Sequence, residues 1–208
     1  MVKRIKLRTK TSLTRLRSLW LQITRIRFSF SDLNFWKEFC LTRDSLEVKI
    51  VPQDLISVLT FLRQHSLMQF TQLIDIIVSD VPGQKNRFSL SYLLLSHFYN
   101  SRLVLTTQIH EIESIPSTMH MFASANWLER EAWDMFGIIF YGHTDLRRIL
   151  TDYGFSGHPL RKDFPLTGFE EISYIDYIQN LRYDHVVLAQ EYRLHTHETN
   201  QDLPRLYT

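Results

Sequence analysis

The plainest strand in the sequence is Phe70-Thr-Gln-Leu-Ile-Asp-Ile-Ile-Val-Ser-Asp-Val81, in which Ile74, Ile76 and Val78 are spaced two residues apart. This period predicts a half-buried β-strand with those three side chains on one face. Pro82-Gly83-Gln84-Lys85-Asn86 follows directly, and a proline–glycine pair among polar residues is typical of a turn. The segment therefore predicts the first strand of an antiparallel arrangement.

Two further strands are predicted after this turn, over Arg87–Phe98 and Arg102–His110. They are joined by Tyr99-Asn100-Ser101, a connection short enough for a hairpin. The three strands together predict an antiparallel meander.

The segments on either side of the meander add a strand and two helices. Leu46–Val51 alternates apolar and polar residues and is predicted to be a strand. Pro52 suits the first turn of a helix, and apolar residues at helical spacing continue to about Gln64. A second helix is predicted from Pro116 to about Phe136. The fold class is therefore α+β: a small mixed or antiparallel sheet with helices on one side, followed by a long extended C-terminal arm.

Residues 1–44 are predicted to form a basic amphipathic helical N-terminal extension to an α+β domain over residues 45–136. Nine of the 24 basic residues precede Asp32, the first acid, so the remainder carries 15 basic and 22 acidic residues. At helical spacing, the apolar residues of 13–30 share one side, and a second short helix is predicted over Leu33–Leu41. A cleaved mitochondrial transit peptide is one interpretation. We favour a retained helix that docks on a partner subunit over one that binds an anionic membrane surface or RNA.

Residues 137–208 are predicted to be an extended arm and tail that wrap a partner subunit. Five of the six glycines lie between Gly137 and Gly168, together with Pro159 and Pro165. The same stretch is dense in aromatic and charged residues, unlike a flexible linker. From Glu170 onward the chain is polar and rich in tyrosine, and short helical pieces are expected there.

Composition excludes several classes of function. The single cysteine, Cys40, excludes an internal disulfide, a cysteine-rich zinc site and an iron–sulfur cluster held by this chain alone. The apolar runs are shorter than a membrane-spanning helix requires, and the mean hydropathy is −0.17. Motifs of nucleotide-binding loops, serine hydrolases and zinc proteases are absent. The charge balance does not favour nucleic acid as a partner.

Two clusters of polar residues are candidates for chemistry. The first lies on the second predicted helix, where Arg130 and Asp134 are spaced to form an ion pair. Its carboxylates could serve as acid and base or as metal ligands, but a salt-bridged interfacial helix is favoured. The second follows in the arm, where His143, Asp145, Asp152 and His158 could bind a metal. Its acids and bases nearly balance, which favours charge pairing that fixes the arm over a metal or phosphate site.

The sequence resembles the thirty-kilodalton subunit family of respiratory complex I. The resemblance is carried by Glu129-Arg-Glu-Ala-Trp-Asp-Met-Phe136 and, after six intervening residues, by His143-Thr-Asp-Leu-Arg-Arg-Ile-Leu150. It continues through Thr151-Asp-Tyr-Gly-Phe-Ser-Gly-His-Pro-Leu-Arg-Lys-Asp-Phe-Pro-Leu-Thr-Gly168 and covers about residues 45–195. Thr144 replaces the proline that is usual in the family after the first histidine.

The resemblance implies a non-catalytic core subunit of the peripheral, quinone-module arm of NADH:ubiquinone oxidoreductase. Such a subunit lies beside the larger subunit that shapes the quinone pocket, binds no cofactor or metal, and leaves NADH, FMN, iron–sulfur clusters and ubiquinone to its partners. The expected location is the matrix side of the mitochondrial inner membrane, with an organelle-encoded chain and no cleaved presequence. A related membrane-bound hydrogenase-type complex is the alternative. The positions that match the signature are assigned to fold and subunit interface: Glu129, Arg130, Glu131, Asp134, His143, Asp145, Arg147, Arg148, His158, Arg161, Lys162 and Asp163.

Overall fold

A computed structural model describes residues 46–190 and 193, together with the backbone of Ile5–Leu7 and Trp36–Leu41. The amphipathic helix expected within residues 13–30 lies outside the described residues. The strands and helices, in chain order, are β1 (Ile5–Leu7), β2 (Trp36–Leu41), β3 (Leu46–Ile50), α1 (Leu55–Gln64), β4 (Gln72–Asp80), β5 (Phe88–Ser96), β6 (Ser101–Ile109), β7 (Ile115–Pro116), α2 (Ala125–Phe136), β8 (Phe140–Tyr141), β9 (Glu170–Ile175) and β10 (Asn180–His185).

The main sheet is mixed and has six strands in the order β1-β2-β3-β6-β5-β4. The predicted meander is confirmed, because β4 pairs antiparallel with β5 and β5 antiparallel with β6. β3 joins the meander by running parallel to β6, with Val48 opposite Leu105. This pairing places β3 in the middle of the sheet, although it precedes all three strands of the meander in the chain.

One face of the sheet packs against both helices to form the core. In β3, Leu46, Val48 and Ile50 are buried, while the residues between them are partly exposed, as the alternating pattern predicts. Helix α1 follows a 3-10 turn over Pro52–Asp54, and its apolar stripe at helical spacing is buried in the same core. The α+β class with helices on one side of the sheet is therefore confirmed.

Three local predictions are wrong. Trp36–Leu41 is strand β2 rather than part of a helix. Its backbone pairs antiparallel with β3, and this pairing outweighs the helical spacing of its side chains. The second helix begins at Ala125 rather than Pro116, because Pro116 lies in the short strand β7 paired with β8. Ile74 is exposed, because a bulge in β4 turns it away from the face that buries Ile76.

The chain divides into two compact units, Met1–Phe164 and Pro165–Thr208. In the second unit, β9 and β10 form an antiparallel hairpin, with Glu170 opposite His185. The short helical pieces expected after Glu170 are therefore wrong for the hairpin segment, whose backbone groups are paired across two strands instead. No helix within the described residues has both the length and the apolar character needed to cross a bilayer.

Candidate functional site

Helix α2 supplies two carboxylates to the interior of the first unit. Glu129 and Asp134 are both fully buried, and Arg130 between them is 5% exposed. The helix ends at Phe136 and is capped by Gly137, whose φ of +76° is a left-handed conformation that glycine adopts without the steric cost of a side chain. The chain can therefore turn back along the helix, and residues 143–161 of the arm return to contact it.

Glu129 holds the loop that precedes the helix. One carboxylate oxygen accepts hydrogen bonds from the backbone N–H and the hydroxyl of Thr118, both at 2.7 Å. The other accepts from the Ser117 hydroxyl at 2.6 Å and lies 4.0 Å from Nε2 of His143, whose side chain is also fully buried. His143 Nδ1 accepts the N–H of Asp145, so the ring also fixes the first turn of the arm.

Asp134 holds the middle of the arm. One oxygen accepts three consecutive backbone N–H groups, those of Ile149, Leu150 and Thr151, at 2.7–3.1 Å. The other accepts the Thr151 hydroxyl at 2.7 Å and Nη1 of Arg148 at 3.0 Å. Burial raises the pKa of Asp134, but the Thr151 hydroxyl and the backbone N–H groups outweigh it and hold the pKa at about 2.

Two further arm residues satisfy the carbonyl groups at the end of α2, which have no partner within the helix. His158 donates from Nδ1 to the carbonyl oxygen of Asp134 at 2.9 Å, and Arg161 donates from Nε to that of Phe136 at 2.6 Å. Burial lowers the pKa of His158, and the nearby Arg161 and Arg148 lower it further. We infer that His158 is neutral at physiological pH and acts as a hydrogen-bond donor to the helix end.

A second ion-pair network joins the arm to the sheet. Arg87 binds both oxygens of buried Asp80 at 2.8 and 2.9 Å and also contacts Asp163 at 3.1 Å. The guanidinium hydrogen bonds of Arg87 lower the pKa of Asp80 and of Asp163. Lys162 takes part through its backbone N–H, which donates to Asp80 at 2.9 Å. Glu111 links the two networks, because it contacts both Arg87 and Arg161.

Arg130 lies apart from both networks. Its guanidinium carbon is 5.0 Å from the centre of the Trp127 ring, and Nε donates to the Arg147 carbonyl at 3.4 Å. Arg147 itself is exposed and pairs with Asp145 at 2.8 Å, while Glu131 is exposed on α2. The predicted pairing of Arg130 with Asp134 is wrong, because Asp134 pairs with Arg148 instead.

The four residues of the metal-site hypothesis do not converge. His143 and Asp145 bind the backbone and Arg147, Asp152 accepts the N–H of Tyr153, and His158 caps α2. Among residues 46–190, the structure brings no three His, Cys, Asp or Glu side chains into a metal-binding group. The two buried carboxylates of α2, those of Glu129 and Asp134, instead accept hydrogen bonds from donors of the same chain. We call these two hydrogen-bonded groups the charged clamps, because they hold the backbone of the preceding loop and of the arm in place.

Sequence reasoning missed six residues that complete the charged clamps and the Arg87 ion-pair network. They are Asp80, Arg87, Glu111, Ser117, Thr118 and Thr151. Ser117 and Thr118 lie more than three helical turns before Glu129 in the chain, so helical spacing gave no signal for them. Asp80 ends β4 and follows Ile76 and Val78 at the same two-residue spacing, so an acid at the last alternating position was the available clue.

Comparison with known proteins identifies the family. The model of the family "Respiratory-chain NADH dehydrogenase, 30 Kd subunit" matches residues 48–170. An NADH-quinone oxidoreductase subunit of Agrobacterium fabrum is 49% identical over 148 residues, which are 71% of this chain and 74% of that protein. A second relative, of Candida maltosa, is named as a probable mitochondrial NADH-ubiquinone oxidoreductase 30.4 kDa subunit. It is 43% identical over 157 residues, which are 76% of this chain and 57% of that protein.

A solved structure confirms the fold at lower identity. A chain of the membrane-bound sulfane sulfur reductase, an archaeal respiratory membrane complex, aligns with a TM-score of 0.61 and 19% identity. The alignment covers 70% of this chain and 86% of the archaeal chain. The signature residues, the extent of the family match and the level of identity agree, and the chain belongs to the 30 kDa subunit family of respiratory-chain NADH dehydrogenase.

Proposed function

We propose that this chain is a non-catalytic subunit of the peripheral arm of a complex I-type NADH:ubiquinone oxidoreductase. Family membership supports the complex. The observation that supports a non-catalytic role is the use of the buried carboxylates of Glu129 and Asp134. Both oxygens of each are taken up by donors of the same chain. Such groups position backbone and have little capacity left to bind a substrate.

The partner we propose is the larger subunit that shapes the quinone pocket. The charged clamps hold residues 143–161 against α2 in one defined path, which suits a surface that a neighbouring subunit must recognise. Under this proposal, NADH, FMN, the iron–sulfur clusters and ubiquinone are bound by partner subunits. The single cysteine agrees with this division, since a cluster requires about four thiolates.

The location we propose is the matrix side of the mitochondrial inner membrane. Yeast relatives with mitochondrial names support the organelle, and the membership of a respiratory complex supports association with the membrane. An organelle-encoded chain whose basic N-terminal segment docks on a partner subunit is part of the same proposal. Mass spectrometry of the mature N-terminus tests it, because cleavage near residue 30 would make the basic segment a targeting signal.

The experiment that tests the non-catalytic role compares assembly with turnover. Asp163→Ala removes one partner of Arg87, and Arg147→Ala removes an exposed arginine of the arm. We expect each variant to lower the amount of assembled complex on a native gel. NADH:ubiquinone turnover per assembled complex should stay near the wild-type value. Normal assembly with abolished turnover would contradict the proposal.

The alternative, a hydrogenase-type membrane complex, is favoured only by the shared fold of the archaeal respiratory chain. Affinity purification of the tagged chain distinguishes the two. Co-purification of NADH-oxidising activity supports complex I, whereas hydrogen-evolving activity with a reduced viologen would support the alternative.

A further inference from the structure

A cavity of about 520 Å³ opens beside the N-terminal half of α2. It is lined by residues from the helix and the arm, chiefly Trp127, Arg130, Arg147, Arg148, Asp152 and Tyr153. Three arginines and one aspartate belong to this lining. Arg147 is already paired with Asp145 and Arg148 with Asp134, which leaves Arg130 as the arginine of the lining without a carboxylate partner among the described residues.

Arg130 is the unusual member of this lining. The other four arginines of the arm and the sheet network each contact a carboxylate at 3.0 Å or less: Arg87, Arg147, Arg148 and Arg161. Arg130 is 5% exposed, yet within residues 46–190 it has no carboxylate at salt-bridge distance, and its one hydrogen bond is long. The hydrogen bond from Arg147 lowers the pKa of Asp145, and the charge of Arg130 lowers it further, but Asp145 is bound to Arg147 and not to Arg130. A buried guanidinium normally has an anionic partner, because an unpaired buried charge is costly.

The rim of the cavity has the composition of a protein interface. Trp127 is 63% exposed, Tyr153 is 98% exposed and Leu150 nearby is 59% exposed. Tryptophan, tyrosine and arginine are the residues that most often carry binding energy between proteins. The guanidinium of Arg130 lies over the Trp127 ring, 5.0 Å from its centre, and a guanidinium can bind a carboxylate through two parallel hydrogen bonds.

We propose that this cavity, the Arg130 pocket, receives an aspartate or glutamate side chain of a neighbouring protein subunit. Arg130 binds the carboxylate at the base, and Trp127 and Tyr153 cover the apolar part of the same segment. This inference rests on the proposed function, because the complex supplies the neighbouring subunit.

The first test measures how firmly the subunit is held in the assembled complex. Arg130→Gln removes the charge at the base of the pocket, and Arg147→Gln removes one at its exposed edge without disturbing the core. Arg102→Gln, on β6 outside the pocket, removes an exposed charge as the matched control. We expect Arg130→Gln to dissociate from the complex in moderate salt at least tenfold faster than wild type, with a smaller change for Arg147→Gln. Thermal melting of each purified chain shows whether folding is intact.

The second test identifies the occupant chemically. A complex that carries Arg130→Lys is treated with a zero-length carbodiimide, which joins an amine to a carboxylate it contacts. We expect a cross-link from residue 130 to an acidic residue of another subunit, located by mass spectrometry. A link only to Asp145, or none, would overturn the proposal.

Three other results separate the possible failures. Wild-type retention of both pocket variants would overturn the pocket while leaving the proposed function intact. Absence of the wild-type chain from any NADH-oxidising complex would instead refute the proposed function. Loss of binding of Arg130→Gln to vesicles of phosphatidylcholine with one-fifth cardiolipin, without change in subunit retention, would show that the occupant is a lipid and overturn the proposal.

Discussion

Asp134 and Arg148 form an ion pair of 3.0 Å between the last turn of α2 and the arm, and the Asp134 side chain is fully buried. Its carboxylate accepts five hydrogen bonds in all, three of them from consecutive backbone N–H groups. One side chain thus fixes both the course of the arm backbone and the position of Arg148. Arg148 in turn donates to the Gly157 carbonyl at 2.9 Å, so the pair closes a loop of the arm on itself.

Asp134→Asn should strongly destabilise the first unit. The amide keeps one acceptor but directs N–H groups at donors, and it leaves Arg148 without its carboxylate. We expect the free energy of unfolding to fall by about 3 kcal/mol, as for a broken buried ion pair. Urea denaturation followed by tryptophan fluorescence measures the loss. Asp152→Asn, an exposed carboxylate in the same segment, is the matched control and should change the unfolding free energy by less than about 0.5 kcal/mol.

The stability of the chain should fall between about pH 4 and pH 2 through Asp134. Its pKa is about 2 when folded against an ordinary value of 3.8, so the folded state favours the ionised form. A group whose pKa is lower in the folded state contributes its full stabilisation when the pH is above its pKa in the unfolded chain. That stabilisation is lost as the pH falls through its pKa in the folded chain. The contribution is about 2 kcal/mol. The free energy of unfolding, measured by urea denaturation at each pH, should change less with pH over this range for Asp134→Asn than for wild type. The same pH dependence in both proteins would contradict the assignment.

Gly137→Ala should be more damaging than Gly154→Ala, although both glycines have a φ of +76°. A Cβ at Gly137 would lie 2.5 Å from Nε2 of His158 and 2.6 Å from Nη2 of Arg161, whereas a Cβ at Gly154 meets nothing within 4 Å. Both variants carry the same backbone cost, about 1–2 kcal/mol. The additional loss at Gly137, about 1–3 kcal/mol, reports the displaced cap of α2. Thermal denaturation of the two variants measures the difference, and equal losses would show that the cap adjusts freely.

Asp80→Asn should weaken the attachment of the arm to the sheet. Asp80 is buried, binds Arg87 through both oxygens and accepts the N–H of Lys162, so its loss should cost about 2 kcal/mol. Glu111→Gln removes a partner of the same arginine, but Glu111 is 41% exposed and should cost less than about 1 kcal/mol. Urea denaturation of both variants ranks the two contacts.

The strands of the meander and helix α1 could be predicted from sequence because their residues repeat at the period of the element they form. Trp36–Leu41 could not, because its strand conformation depends on pairing with another strand, β3. The bulge that exposes Ile74 left no mark on the apolar pattern. The signature acids were found on a helix, as predicted, but their partners depend on the path of an irregular arm. No local period links Asp134 to Thr151 or Glu129 to Thr118.

The parallel pairing of β3 with β6 has a consequence for biosynthesis. Val48 meets Leu105 only after the whole intervening hairpin has been made, so the sheet cannot assemble in the order in which the ribosome releases its strands. The edge of β3 that pairs with β6 stays unpaired while β4, β5 and β6 are synthesised. Unpaired strand edges are prone to pair with other chains. The nascent subunit therefore passes through an interval of exposure that ends when Ser101–Ile109 leaves the exit tunnel.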